Sequence, residues 1–435
     1  MNINLMRKVD YFAGIPLCLV ATVWTRLVGL LGLLFGKTTG TPKRVLFVEL
    51  SEMGSAILVD PAMRKMQQQG EAEIFFLIFK SNAVSLRLLG TVPESHVFTI
   101  NESGLFNVAW DSLRFLIWAR SRQIDTVIDL ELFSRYSALL TGLSGAANRV
   151  GFHAFHNEGL YRGAMLTHRV MYNPHQHIAK NFIALVNAAL SEKDQHPYSK
   201  TRVADSEVIL AQATVDEGAL AAMQALIGRE YPAYDPARHR LVLINPNASD
   251  LLPQRRWMQA NFVTVMRALL AEYEEVVVLI TGSPAERERA TMLKEQVNNE
   301  RCVNFAGCNK LDALPALYCL AELMLTNDSG PGHFSAVTPL RTFVLFGPET
   351  PALYGSLGNS TPIYAGLACS PCVSASNHRK TPCHDNVCLQ VIEPEMVLAY
   401  LRQALAENIL AKKVSTPRVL SRDGLKPAGH AGGTA

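Results

Sequence analysis

Apolar residues recur along this chain in two rhythms. Short strand-like runs with apolar centres lie at Arg44 to Leu50, Ile74 to Phe79, Asp125 to Leu130, Arg240 to Ile244, Val276 to Ile280 and Leu320 to Leu325. Between them are longer stretches of helical spacing, among them Ile57–Gln69, Leu105–Arg120, His177–Leu190 and Ala285–Asn298. Continuous apolar runs suit strands buried on both faces, and strands that alternate with helices build a parallel sheet covered on both sides. A Pro-rich polar break, Tyr231-Pro232-Ala233-Tyr234-Asp235-Pro236, divides the pattern. The expectation is an α/β protein with two tandem Rossmann-like domains, 41–230 and 238–412, facing a cleft. The Gly-, Pro- and Ala-rich tail, 413–435, is expected to be disordered.

Residues 1–40 follow neither rhythm. Tyr11 to Gly36 is a long apolar stretch in which Arg26 is the one charge, and basic residues flank it (Arg7 and Lys8 before, Lys37, Lys43 and Arg44 after). The length allows a spanning helix, but an arginine in mid-segment is costly in lipid unless it snorkels. No small-residue cleavage site closes the run, so a signal peptide fits poorly. A hydrophobic membrane-associating helix is therefore expected, with interfacial, spanning and protein-buried forms all open. Basic flanks suit the anionic cytoplasmic face of a membrane. The net charge of +3 gives no footprint of a nucleic-acid binder. A chain of 435 residues buries enough core to fold without disulfides or metals.

The chemistry concentrates in three loops of the second half. Thr326-Asn327-Asp328-Ser329-Gly330-Pro331-Gly332-His333 follows a strand pattern and precedes a helical one. Strand, Gly-rich turn and helix start form an anion site, with Ser329 or Asp328 able to cap the helix. Asn247-Ala248-Ser249 ends an earlier strand and leads into Arg255-Arg256-Trp257. Thr281-Gly282-Ser283 ends another, with Glu286 just beyond. Backbone N–H groups, hydroxyls, guanidinium groups and one carboxylate on a single sheet edge fit a nucleoside diphosphate.

The order and wording of these loops resemble the heptosyltransferases, glycosyltransferase family nine. The resemblance is strongest from Leu243 to Thr350, through Phe305-Ala306-Gly307, the 327–333 block and Phe346-Gly347-Pro348 with Pro351, and extends weakly back to Val45. It implies a GT-B architecture, with an acceptor-binding first domain, a nucleotide-sugar-binding second domain, and no metal or other cofactor for catalysis. It also implies that Arg255 faces the donor phosphates and Glu286 the ribose. Asn247, Ser249 and Gly282 join them in the donor site, with Asp328, Ser329, Gly330 and His333 on its phosphate side.

One departure stands out. Leu50-Ser51-Glu52-Met53-Gly54-Ser55 aligns with a family turn whose last residue is usually an aspartate, regarded as the general base. Ser55 cannot accept a proton at neutral pH without a partner. Glu52 on the same loop is the first replacement candidate, Glu49 the second and Glu131 the third, the last expected on the acceptor side. Asp60, before Pro61, reads as a helix N-terminal carboxylate. Cys369, Cys372, Cys383 and Cys388 fit structural zinc, disulfides or free thiols. Cys18, Cys302, Cys308 and Cys319 read as core residues. His175 and His177 are two apart and do not share a helix face.

The resemblance thus implies an inverting glycosyltransferase on the cytoplasmic face of a bacterial inner membrane. Its partners would be a nucleotide-sugar donor, a lipid-linked or surface-glycan acceptor and the membrane surface. Ser55 keeps open an impaired nucleotide-sugar-binding scaffold. A GT-B-like epimerase is a third class, against which the anchor argues.

Overall fold

The computed structural model describes residues 3–34, 40–132, 134–156, 160–374 and 379–412. The expected disordered tail, 413–435, lies outside them. The chain forms two six-stranded sheets, parallel throughout. In the first, β1 (Arg44–Val48), β2 (Glu73–Phe79), β3 (Val97–Ile100), β4 (Thr126–Asp129), β5 (Asn148–Phe152) and β6 (His168–Val170) run in the order β3-β2-β1-β4-β5-β6. In the second, β7 (Arg240–Asn245), β8 (Val276–Ile280), β9 (Cys302–Asn304), β10 (Ala321–Asn327), β11 (Arg341–Phe346) and β12 (Ser360–Tyr364) run β12-β11-β10-β7-β8-β9.

Each sheet reverses its strand order once, between β1 and β4 and between β7 and β10. Loops leaving two such neighbours diverge to opposite faces and open a crevice at the strands' carboxyl ends. The Glu49–Glu52 loop therefore lies beside Glu131, and the Asn247 loop beside Asp328. β1, β7 and β8 are buried almost throughout, as their apolar runs predict. β3 and β12 are edge strands that stay partly exposed, and their composition gives no continuous apolar run.

Three local readings are corrected. Ile57–Gln69 contains the junction of two helices, Met53–Leu58 and Asp60–Gly70. Asp60 is fully buried at that junction and binds across the domain, accepting from the Arg64 side chain, the Thr91 hydroxyl and the Ala211 N–H. The Glu217–Glu230 helix precedes the Pro-rich break, yet its Met223 and Ile227 pack into the core of the second sheet with Leu241 and Leu317. Of the four cysteines read as core residues, Cys18 and Cys302 are buried, Cys308 is half-buried and Cys319 is exposed.

The amino-terminal apolar run forms two helices, Ile3–Phe12 and Gly14–Leu34. Asp10 accepts the N–H groups of Arg135 and Tyr136 at the start of the Arg135–Leu143 helix and pairs with the Arg135 side chain. Cys18 and Ala21 pack against Ala138 and Met165. Among the described residues no helix is long and apolar enough to cross a membrane. The spanning form of the anchor is thus unsupported, and one face of the segment is committed to protein.

Candidate active site

The second domain builds its half of the site from three side chains in a row. Trp257 is buried, its N–H donating to Asn327 Oδ1 at 3.0 Å and its indole Nε1 to the Ile392 carbonyl at 2.8 Å. Arg256 turns back onto the Ala248 carbonyl and holds the Asn247 loop. Arg255, with its neighbours fixed, points into the crevice. Its Nη1 lies 3.4 Å from Glu349 Oε2, 3.7 Å from Asp328 Oδ2 and 3.4 Å from the Asp328 carbonyl. Asn327 ties the two loops together, since its Nδ2 donates to the Pro246 carbonyl at 2.9 Å.

Glu349 and Asp328 are both buried, and the Asp328 carboxyl is pushed up to about 8 by burial and then by the neighbouring Glu349 charge. Arg379 supplies the second cation. Its Nε donates to Glu349 Oε1 at 3.0 Å, its guanidinium carbon stands 4.7 Å from the centre of the Tyr354 ring, and its Nη1 pairs with Glu52 of the first domain. The anticipated cationic cradle is therefore already matched by internal carboxylates. Four buried polar atoms here have no hydrogen-bond partner among the described residues: Asn247 Oδ1, Arg255 Nε, Asp328 Oδ2 and Glu349 Oε2.

The phosphate-side turn differs from expectation. The Gly330–Ser335 helix has only six residues, and Ser329 does not cap it. The Ser329 hydroxyl donates to the Asn327 carbonyl at 3.1 Å. So short a helix adds little dipole, and the arginines carry the positive charge. His333, inside this helix, is held neutral by burial first and then by His177, with its pKa down to about 4. A Cβ placed on Gly54 of the first domain would lie 2.6 Å from His333 Cδ2, so the two domains meet in contact at this point. His177 caps the Ile178–Ala189 helix through Nδ1, and its Nε2 lies 2.7 Å from the Gly355 carbonyl across the gap.

In the first domain, Glu52 Oε2 accepts from the Ser55 hydroxyl at 3.1 Å. Burial alone would raise the Glu52 carboxyl, but Arg379, the Ser55 hydroxyl, Arg255 and His333 together bring it below its ordinary value. Glu49 is pushed far up by burial and by the Glu131 and Glu52 charges. Glu131 is also raised, by burial and then by Glu52, while it accepts from the N–H groups of Leu50 and Ser51 and the Ser51 hydroxyl. Of the three carboxylates considered as a base, Glu52 is the one bonded to Ser55. A cavity of about 30 Å³ lies between the domains, lined by Glu49, Glu52, Ser55 and Glu131 on one side and Tyr354 and Arg379 on the other.

Glu52, Ser55, Arg255, Asp328 and His333 thus converge, with Glu131 on the same floor. Gly282 packs against Asn247 and Glu286, where a Cβ would meet Asn247 Nδ2 at 2.8 Å and Glu286 Oε2 at 3.0 Å. One Glu286 oxygen is taken by the Ser283 N–H at 2.7 Å. Ser249 is exposed and closes its own turn on the Leu251 N–H. Glu349, Arg379, His177 and Asn327 went unassigned in the sequence reading. Glu349 follows a predicted strand end and was findable, whereas nothing in the sequence around Arg379 marks it.

Cys369, Cys383 and Cys388 of the 369–388 loop are free thiols. Cys372 Sγ lies 3.2 Å from Thr381 Oγ1, and Cys383 Sγ 3.4 Å from Asp385 Oδ1. Among the described residues no three His, Cys, Asp or Glu side chains converge as a metal site.

A profile of glycosyltransferase family 9 (heptosyltransferase) matches residues 116–381. Lipooligosaccharide heptosyltransferase 2 of Campylobacter jejuni is 28% identical over 177 residues, 39% of this chain and 53% of that protein. The match thus spans about half the length of that relative. The lipopolysaccharide core heptosyltransferase OpsX of Haemophilus influenzae is 22% identical over 334 residues, 75% of this chain and 86% of that protein. The solved structure of Escherichia coli ADP-heptose lipopolysaccharide heptosyltransferase II superposes with a TM-score of 0.64 at 18% identity, covering 84% of this chain and 99% of that one. That likeness makes the two facing α/β domains GT-B-like. Since the family profile covers more than half of the sequence, the chain belongs to glycosyltransferase family 9, the heptosyltransferase family.

Proposed function

We propose that the protein is an inverting glycosyltransferase. It moves a heptose-type sugar from an ADP-linked donor to a hydroxyl of a lipid-linked or surface-glycan acceptor, such as the lipopolysaccharide core. The observation that carries this reading is the convergence of Asn247, Arg255, Asp328 and Glu349 in one crevice, where Asn247 Oδ1 and Arg255 Nε have no hydrogen-bond partner among the described residues. A buried polar atom left unmet costs about 1–3 kcal/mol; a diphosphate oxygen can accept from Arg255 Nε, and a ribose hydroxyl can donate to Asn247 Oδ1.

In this reading the acceptor hydroxyl gives its proton to the Glu52 carboxylate as its oxygen bonds to the anomeric carbon. The bond from that carbon to the diphosphate oxygen breaks on the far side. Arg255 and Arg379 meet the charge gathering on the diphosphate, the work a divalent ion does elsewhere. In this reading the donor enters as the domains part, since Gly54 and His333 meet in contact across the gap. Parting draws Arg379 from Glu52, and the phosphates then compete for its guanidinium. A Glu52 freed of that cation becomes a stronger base. Thiol pairing or a structural zinc ion in the 369–388 loop would stiffen the segment that presents Arg379. The amino-terminal helices hold the enzyme at the cytoplasmic face of a bacterial inner membrane, which concentrates it on a lipid-borne acceptor.

A thermal-shift panel of ADP-, UDP-, GDP- and CMP-sugars, followed by a transfer assay onto lipopolysaccharide core, tests the reading. Selective stabilisation by an ADP-sugar and incorporation of its sugar are expected. A chain stabilised by no nucleotide sugar would sink it. The second reading, a scaffold that binds donor without turnover, is favoured by Ser55 and by the hold of Arg379 on Glu52. Stabilisation without transfer to any acceptor would select it.

A further inference from the structure

A surface helix of a globular domain ordinarily carries one apolar face, turned inward. The Leu105–Ser121 helix carries two. Phe115 and Ala119 face the first sheet and are fully buried. Phe106, Trp110, Leu113 and Ile117, spaced four, three and four residues apart, form a second stripe on the outside. Phe106 is 79% exposed and Ile117 62%. The Gly14–Leu34 helix repeats the arrangement, with Cys18 and Ala21 inward and Val20, Trp24 and Leu27 outward. Both helices pack on the Arg135–Leu143 helix, on the same side of the first sheet, so their outer stripes share one side of the molecule.

The exposed charges carried by these helices are basic. Lys8, Arg26, Arg114 and Arg120 are exposed on the three helices Ile3–Phe12, Gly14–Leu34 and Leu105–Ser121. The only acids in those helices are Asp10 and Asp111, and both are spent internally. Asp10 holds Arg135, and Asp111 accepts the Asn101 N–H and pairs with Arg114. Apolar and aromatic side chains bordered by the exposed cations Lys8, Arg26 and Arg120 complement an anionic lipid surface.

We propose that the outer stripe of the Leu105–Ser121 helix and that of the Gly14–Leu34 helix together form one docking face for an anionic bilayer, on which the first domain lies flat without crossing it. The proposal extends the membrane attachment of the proposed function to a helix outside the amino-terminal run. The position also serves the cleft. The Leu105–Ser121 helix begins after the carboxyl end of β3, at the sheet edge that bears Glu52. Gly14 sits against Arg135, which begins the helix that follows β4. Both stripes therefore start at the cleft rim, where a lipid-borne acceptor leaves the bilayer.

The test uses the full chain and vesicles of phosphatidylglycerol and phosphatidylethanolamine, with phosphatidylcholine vesicles as the neutral control. Wild type should co-sediment with the anionic vesicles. The triple change Phe106→Ser, Trp110→Ser and Ile117→Ser should lower that partition by at least about tenfold. Transfer to a water-soluble acceptor fragment should be unchanged, which separates failure of this face from failure of the catalytic reading. A Trp24→Phe protein gives a second readout without disturbing the Leu105–Ser121 helix. Its emission should be quenched by brominated phosphatidylglycerol, and the quenching should vanish on adding Trp110→Phe. Undiminished sedimentation of the triple variant, or no quenching of Trp110, overturns the proposal. So does light scattering that shows a lipid-free dimer dispersed by the same triple change, because a second copy of the chain would then cover the face.

Discussion

Arg379 of the second domain reaches across the gap to pair with Glu52 of the first, and the same guanidinium holds Glu349 at 3.0 Å. One side chain thus ties together the candidate base and the candidate phosphate site. If Arg379 moves to the diphosphate during transfer, Arg379→Ala should lower kcat/KM by roughly 10²–10³. Arg379→Lys should recover only part, since a point charge cannot serve two acceptors through a planar fork. Steady-state kinetics on donor concentration would check both.

Glu52→Gln keeps the shape of the side chain and removes its proton affinity. Turnover should fall by roughly 10²–10⁴ while the donor dissociation constant, read by calorimetry, stays near the wild-type value. Turnover at the wild-type rate would move the base role to Glu131 or Glu49.

Asp328 gives a pH signature. Its carboxyl is raised from 3.8 to about 8 by burial and then by Glu349. The folded protein therefore holds this proton more tightly than the unfolded chain. The group's contribution to stability is full below about pH 4 and is lost as the pH climbs through about 8. Melting temperature should decline over that interval in wild type and less steeply in Asp328→Asn. Above about pH 8 a new negative charge faces the donor phosphates, so the donor KM should rise in wild type and stay flat in the variant.

Gly54 allows the domains to touch, because a Cβ there would stand 2.6 Å from His333 Cδ2. Gly54→Val should hold the gap open. Small-angle scattering should report a larger radius, and kcat should fall, up to about 10²-fold for an ångström of misplacement. Thermal stability of the separate cores should change little.

Trp257 is the buried post on which Arg255 and Arg256 are mounted. Trp257→Ala should destabilise the second domain by about 3–5 kcal/mol, measurable by denaturant titration.

Much of the architecture was legible in the residue pattern. Strands buried on both faces, such as β7 and β8, leave unbroken apolar runs, and polar loops at their ends mark one sheet edge. Edge strands β3 and β12 left no such run, because half-exposed positions tolerate polar residues. Asp328 was legible because it follows a strand end directly, whereas Arg255 and His333 were picked out through the resemblance of their loops to the family. The outer stripe of Phe106, Trp110, Leu113 and Ile117 was also present in the sequence, but it overlaps the inner stripe, and only exposure separates the two.

The sequence alone determined the two parallel sheets and the order of the loops. It could do so because burial periodicity and turn chemistry are local properties of the chain. Tertiary structure decided that Glu52 is the carboxylate beside Ser55, that Asp328 keeps its proton near neutrality, and that Arg379 neutralises Glu52 from 327 residues away. Those outcomes depend on which charges folding brings within a few ångströms and how far it removes them from water. No spacing along the chain encodes either quantity.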